Sequence, residues 1–600
     1  MSTARPAITG RGAQPCAPQG KGEDPSSGTI RNALCLPAPL PPSRVGKGAQ
    51  GLGSALCLAL ALLLVACSEW LPIQPRPTEA LPALPPTATP QTDTYGGVLT
   101  VRLREEVGTI SPLSAKREMG KVVQLLFAGL MRLDARLRPV PDLAESWTAS
   151  PDELTWTFKL RPGVRWHDGT TFTADDVLFT YRTLVNGSLG EAPLVAIAQA
   201  DLQQVLEDIE SPDPYTVRLK LRRRFTPLLV DLAVPILPYH LLKDMPPADL
   251  WQKPLTVGAG PFRLVEQRGR EALILEAFPQ YYAGRPYLDR VAFLAATSEE
   301  EVGKSLNEGK LLLAEVAPAT AGALAGNPSL KLASYPDLTY YYVGFNLRPG
   351  HLFAEKALRQ AWAYAVDKDV LIRETLGEQA EAVWTDVPTY SWAYDPELPR
   401  PAQDLGKARQ LLDAAGWQQL DKDGIRVKGG QRLSIELAVR QDEPERIKVA
   451  RSLAAQLREA GIEVRVVAAD FASTMAAARR PPFDFAALLM GWTIGEDPDD
   501  YYLFHSSQIP SAEHPSGYNY VGFRNEEFDR LSVEARGTAD WRRREELYHR
   551  TQRILAEEQP YYFLWAERVH VVANARLVGI PEPLSPSLWR TIPRWQLRRG

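Results

Sequence analysis

From position 95 onward, apolar and polar residues follow two alternating periods, and each period predicts a kind of element. YGGVLTVRL (95–103) alternates by two after a glycine turn and predicts a first strand. The apolar stretch 120–131 predicts a helix. LTWTFKLRPGVRW (154–166) is apolar at every second position and predicts alternating strands. His167-Asp168-Gly169 predicts a turn. Thr173 stands as an N-cap with Asp176 three residues on, in a capping-box arrangement. A helix is therefore expected over about 174–184, with Val177, Leu178 and Tyr181 turned inward.

The later half alternates helix and strand. Leu358, Ala361, Trp362 and Ala365 fall on one helix face, and Ile447, Ala450, Leu453 and Leu457 on another. Gly461 closes the second helix, and IEVRVV follows as a strand. Residues 545–558 predict a further amphipathic helix, stopped by Pro560. This rhythm is that of an α/β fold with a partly parallel sheet. The sequence contains no internal repeat.

Before position 95 the pattern is different. Arg44 and Lys47 precede an apolar run over 52–66, which is short for a membrane span of about 20 residues but suits a signal peptide. Leu64-Val65-Ala66-Cys67 resembles a lipobox, so residues 44–66 are expected to be removed and Cys67 to carry the lipid. Each buried methylene contributes about 0.8 kcal/mol, and several acyl chains hold a large body at a membrane surface where one holds it marginally. Residues 67–94, rich in Pro and Thr, are expected to be an extended tether. Residues 1–43 are an unpatterned extension ahead of the charged region, which fits a true start further along.

Composition narrows the classes. Six hundred residues are enough for several domains at roughly 100–200 residues each. A net charge of -4 with both signs interspersed argues against a nucleic-acid partner. All four cysteines, Cys16, Cys35, Cys57 and Cys67, lie at or before position 67, so the body has no disulfide framework, zinc cluster or cysteine nucleophile. None of the seven histidines has H-x-x-x-H or H-E-x-x-H spacing. Gly258-Ala259-Gly260-Pro261-Phe262 resembles a phosphate loop, but Pro261 removes an amide, so a tight bend is expected instead. Glu496-Asp497 and Asp499-Asp500 match no calcium loop and are expected to be a solvated or turn-forming run. No catalytic constellation stands out; no enzyme activity, cofactor or metal is expected.

Several stretches taken in order resemble one family. They are 143–184 (LAESWTASPDELTWTFKLRPGVRWHDGTTFTADDVLFTYRTL), GAGPFRLVE (258–266), YYAGRPYLDRVAF (281–293), YYVGFNL (341–347), ALRQAWAYAVDKDVL (357–371), KARQLLDAAGW (407–417) and GWTIGEDPDDYYLF (491–504). Together they resemble the bacterial extracellular solute-binding proteins of family 5, which serve peptide and nickel ABC importers. The resemblance implies a periplasmic-binding-protein-like type II clamshell of cluster C, two lobes with an extra α+β domain. It places lobe I at 94–127, 241–336 and 558–600, the extra domain at 128–240, and lobe II at 337–557, with two crossing strands as the hinge. It also implies a monomer outside the cytoplasm, held to the cell membrane through Cys67, that gives its ligand to an ABC permease and its ATPase subunits.

In the peptide-binding branch of that family, a carboxylate three residues after a tryptophan holds the peptide's amino terminus. Here the third residue after Trp492 is Gly495, and the carboxylates follow at Glu496 and Asp497. Two readings stay open: Glu496 takes over with its longer stem, or the chain binds no free amine. A peptide is the default ligand, with an oligosaccharide or metal chelate as the alternative and a secreted hydrolase behind both. The candidate ligand-binding residues are Trp492, Thr493, Glu496 and Asp497, joined by Trp384, Trp392, Tyr340 and Tyr520 from loops expected to border the cleft.

Overall fold

Residues 95–113, 117–187, 193–250, 253–511 and 515–598 are described by a computed structural model. Cys67, the apolar run before it, the tether and the N-terminal extension lie outside these residues.

The first strand, Val98–Leu103, buries Leu99, Val101 and Leu103 completely, as its alternation requires. It lies inside one long mixed sheet. In spatial order the strands are Glu463–Ala469, Ser434–Arg440, Ala487–Thr493, Leu330–Phe345, Tyr561–Asn574, Leu313–Val316, Val98–Leu103, Arg290–Ala295, Ala272–Ala277 and Phe262–Arg268. Val98–Leu103 runs parallel to both its neighbours, and Ser434–Arg440 does the same at the other end.

The two long strands in the middle join the halves. Leu330–Phe345 and Tyr561–Asn574 pair over Leu330–Pro336 and again from Tyr340, and the register breaks between Pro336 and Tyr340. On one side of the break Tyr561–Asn574 also pairs with Leu313–Val316. On the other side Leu330–Phe345 pairs with Ala487–Thr493. Each long strand thus serves one half of the sheet with one end and the other half with the other.

A separate antiparallel sheet has the order Ala144–Ala149, Thr155–Leu160, Thr216–Leu221, Leu206–Asp213. Trp156, Phe158 and Leu160 fill its inner face, and the helices Ala174–Asn186 and Pro193–Val205 accompany it. Thr173 and Asp176 form the predicted capping box, and Val177, Leu178 and Tyr181 are buried. The predicted inward faces of Lys356–Ala365 and Pro444–Glu459 are buried as well, with Ile447 half-buried.

Two boundaries differ from the pattern. The helix expected over 120–131 is Arg117–Leu126. It stops because the Gly258–Gly260 bend closes its end: the Gly260 amide donates to the Leu126 carbonyl at 2.9 Å. Met131–Leu133 then becomes a strand. The helix expected from 545 begins at Trp541, because the Asp540 side chain accepts from the amides of Arg542 and Arg543. The glycine bend needs its glycines for space: a Cβ on Gly258 would lie 1.9 Å from the Leu126 oxygen. The His167 turn locks onto the same bend, with Nε2 3.1 Å from the Gly260 carbonyl.

Candidate functional site

Ala487–Thr493 is buried as far as Met490 and emerges at its C-terminal end. There Trp492 pairs with Tyr340 and Thr493 with Thr339. The chain then leaves the sheet as Ile494-Gly495-Glu496-Asp497-Pro498-Asp499. This loop forms one wall of a cavity of about 940 Å³. The opposite wall comes from the helix Pro193–Val205 and the segment 227–235, and a third from the helix Arg117–Leu126 and residues near Trp589. Leu338 and Thr339, at the register break of the long strands, lie between them. The cavity therefore touches both halves of the sheet and the separate antiparallel domain.

Trp492 is half-buried in this wall. Its indole N–H donates to the Tyr561 hydroxyl at 3.3 Å, and its ring meets Tyr518 edge-on at 5.7 Å. The exposed Thr493 hydroxyl is 2.8 Å from that of Thr339. Gly495 faces the antiparallel domain: a Cβ there would reach the Ile197 methyl at 3.9 Å.

The two carboxylates after Gly495 differ in their surroundings. Asp497 lies 3.1 Å from the Arg544 guanidinium, which is fully buried. Glu496 has no hydrogen bond or ion pair to any described side chain, and it lines the cavity with Arg590. Burial pushes the Glu496 carboxyl up, and Arg590 opposes the shift. Asp499 forms its own ion pair with Arg536 at 2.8 Å. Of the two alternatives expected at 496–500, a solvated or a turn-forming run, the solvated one is thus corrected. Asp497 and Asp499 sit in low-exposure ion pairs because Arg544 and Arg536, on two packed helices, point at them.

The other four aromatic candidates take different places. Tyr340 and Trp384 line a neighbouring cavity of about 440 Å³. The Trp384 ring lies under the Lys368 ammonium at 4.7 Å and the Arg400 guanidinium at 5.1 Å. Trp392 and Tyr520 line neither cavity, contrary to expectation. Trp392 is packed between Trp541, 4.7 Å away, and Tyr548, where it covers Arg544. Tyr520 is 1% exposed, its hydroxyl against that of Tyr342, and it backs the Trp492 ring at 5.9 Å. Both turn inward because each fills space beside a buried polar group.

The cavity also holds residues that pattern reading missed. Asp201, Asp231, Asp386, Tyr518 and Arg590 all line it. Asp231 carried a signal: it is the one charge in the apolar run Thr226–Leu237, TPLLVDLAVPIL. The others come from segments with no local mark. Among the described residues no group of His, Cys, Asp or Glu is placed to hold a metal ion. What the site offers is a roomy space lined by apolar and acidic side chains, with Glu496 in no ion pair to a described side chain and aromatic faces beside it, which suits binding of an extended ligand with a cationic end.

A sequence model described as bacterial extracellular solute-binding proteins, family 5 middle, matches residues 138–511. The oligopeptide-binding protein AppA of Bacillus subtilis is 31% identical over 489 residues, 80% of this chain and 87% of that protein. The dipeptide-binding protein of Escherichia coli is 26% identical over 445 residues, 70% of this chain and 79% of that protein. The structure of B. subtilis AppA in complex with a nonapeptide superposes with a TM-score of 0.59 at 28% identity, covering 84% of this chain and all of that one.

Proposed function

Because this chain belongs to the bacterial extracellular solute-binding proteins of family 5, we propose that it captures oligo- or dipeptides for an ABC importer. The observation that carries this reading is Glu496: a carboxylate without a fixed cation, in the wall of a 940 Å³ cavity. A peptide's α-ammonium supplies the missing partner, and a charge-assisted hydrogen bond there is stronger than a neutral one. Asp497, already neutralised by Arg544, serves as support rather than contact. Trp492 and Thr493 border the same space, and the peptide main chain pairs with protein main chain near them. Relatives that bear oligopeptide- and dipeptide-binding names support peptide as the ligand class.

In this reading residues 337–557 form a lobe that closes on lobe I (94–127, 241–336 and 558–600) and on the extra domain (128–240). The break between Pro336 and Tyr340 in the paired long strands supplies the bend. Ligand stabilises the closed form through contacts that need both lobes. The closed monomer delivers its ligand to a membrane permease driven by ATPase subunits. Cleavage before Cys67 and acylation of its thiol keep the protein at the outer face of the membrane.

The test is a thermal-shift screen with a mixed-peptide library, together with mass spectrometry of any ligand that co-purifies. A peptide at 100 times its dissociation constant stabilises by about 2.7 kcal/mol. A shift with oligosaccharides or metal chelates, and none with peptides, overturns the assignment.

A further inference from the structure

The cavity wall opposite Trp492 is acidic, and one of its carboxyls lacks a protein partner. Asp231 ends the short helix Leu228–Asp231 and is 6% exposed. Its Oδ2 has no hydrogen-bond partner among the described residues, although it borders the cavity. Asp201, on the helix Pro193–Val205, borders the same cavity and accepts from the Tyr502 hydroxyl at 2.9 Å. Asp497 and Asp499 face them from the loop after Thr493. Only two guanidiniums contact this set of four: Arg544 at Asp497 and Arg536 at Asp499. Arg536, and after it Arg223, act on Asp201 from further off. Two acids on one wall and two on the other thus share two fixed cations.

The electrostatics agree with the geometry. Burial, and after it Asp499, pushes the Asp201 carboxyl up to about 6. Burial, then Asp201, Asp497 and Asp499, holds Asp231 well above the ordinary carboxylate range, with Arg536 opposing. A buried acceptor without a donor is costly, and carboxyls packed this close disfavour one another's ionised form. One added cation answers both. No trio of these carboxyls is placed to hold a metal ion, and both Asp231 and Asp201 border the ligand cavity, which suits an organic cation that reaches in from it.

We propose that Asp231 and Asp201 form a subsite for a lysine or arginine side chain of the bound peptide, separate from the amino-terminal site at Glu496. This rests on the peptide reading and narrows it to cationic peptides. The ammonium or guanidinium bonds Asp231 and offsets the acids gathered around it.

The test is calorimetric titration of the protein with tetra-alanine and with three variants carrying lysine at position 2, 3 or 4. Each lysine peptide has a norleucine counterpart, which keeps the side chain's length and removes its charge. We expect at least one lysine peptide to bind tenfold or more tightly than its norleucine partner. In Asp231→Asn and in Asp201→Asn that preference, taken as the ratio of the two affinities within each variant, falls below threefold. Peptide binding without any lysine preference, or a preference that survives both variants, overturns the subsite alone. Failure of every peptide to bind overturns the peptide reading and the subsite with it.

Discussion

Asp497 and Arg544 form a buried ion pair at 3.1 Å, while the neighbouring Glu496 has no ion pair to any described side chain. Arg544 is held on three sides: its Nε donates to the Ala535 carbonyl at 2.9 Å, its Nη2 to the Tyr548 hydroxyl at 3.1 Å, and Trp392 and Trp541 flank its plane. Removing one member of such a pair strands the other charge, at a cost of about 3–5 kcal/mol. Arg544→Met is expected to lose about that much stability in urea melts. Asp497→Asn in the same chain should restore part of the loss. If the double variant is no more stable than Arg544→Met, the pairing is not what holds this loop.

Glu496→Gln keeps the shape of the side chain and removes its charge. A hydrogen bond to a charged group contributes about 1.5–3 kcal/mol. Peptide affinity measured by calorimetry is therefore expected to fall roughly 10- to 100-fold, with the melting temperature of the ligand-free protein little changed. Equal affinity in the variant would remove Glu496 from the site.

Asp386 reports on pH. Burial raises its carboxyl from 3.8 to about 6, while Thr385 donates to it at 2.9 Å. A raised folded-state value means that the native protein binds more protons than the unfolded chain between about pH 4 and 6, so stability falls as pH rises through that window. Above it the penalty is fully present. Asp386→Asn, which retains an acceptor for Thr385, is expected to stabilise the protein by about 1–3 kcal/mol at pH 7.5 and by almost nothing near pH 4. A gain that does not depend on pH would point to packing instead.

Gly258 tests the bend against which the helix Arg117–Leu126 stops. A Cβ 1.9 Å from the Leu126 oxygen cannot be accepted without backbone movement. Gly258→Ala is expected to destabilise by more than about 3 kcal/mol, in the range reserved for disrupted cores. Gly322→Ala, in the helix Pro318–Leu324 with nothing within 4 Å, serves as the comparison and is expected to stabilise by about 0.5–1 kcal/mol.

Cys67→Ser is expected to abolish acyl labelling and to release the protein from membranes in fractionated cells. Retention equal to wild type would show that some other segment holds it there.

Local pattern was enough for most elements. The capping box at Thr173 and Asp176 and the inward faces at Val177, Leu358 and Leu453 were legible because helix period and cap chemistry involve residues within one or two turns of each other. The helix end at Leu126 was not legible, because the group that closes it, Gly260, comes from a distant bend. Nor was the fate of Trp392, which has the composition of a ligand-stacking residue but covers a guanidinium.

The sequence by itself determined the family and the α/β rhythm, since both reside in short, ordered runs of residues. Only tertiary structure decided that Asp497 is neutralised while Glu496 is open, and that Asp231 and Asp201 face the same cavity from another wall. The physical reason is that a charge's state depends on which distant groups fold against it and how much water remains, and neither quantity is written in the residues beside it.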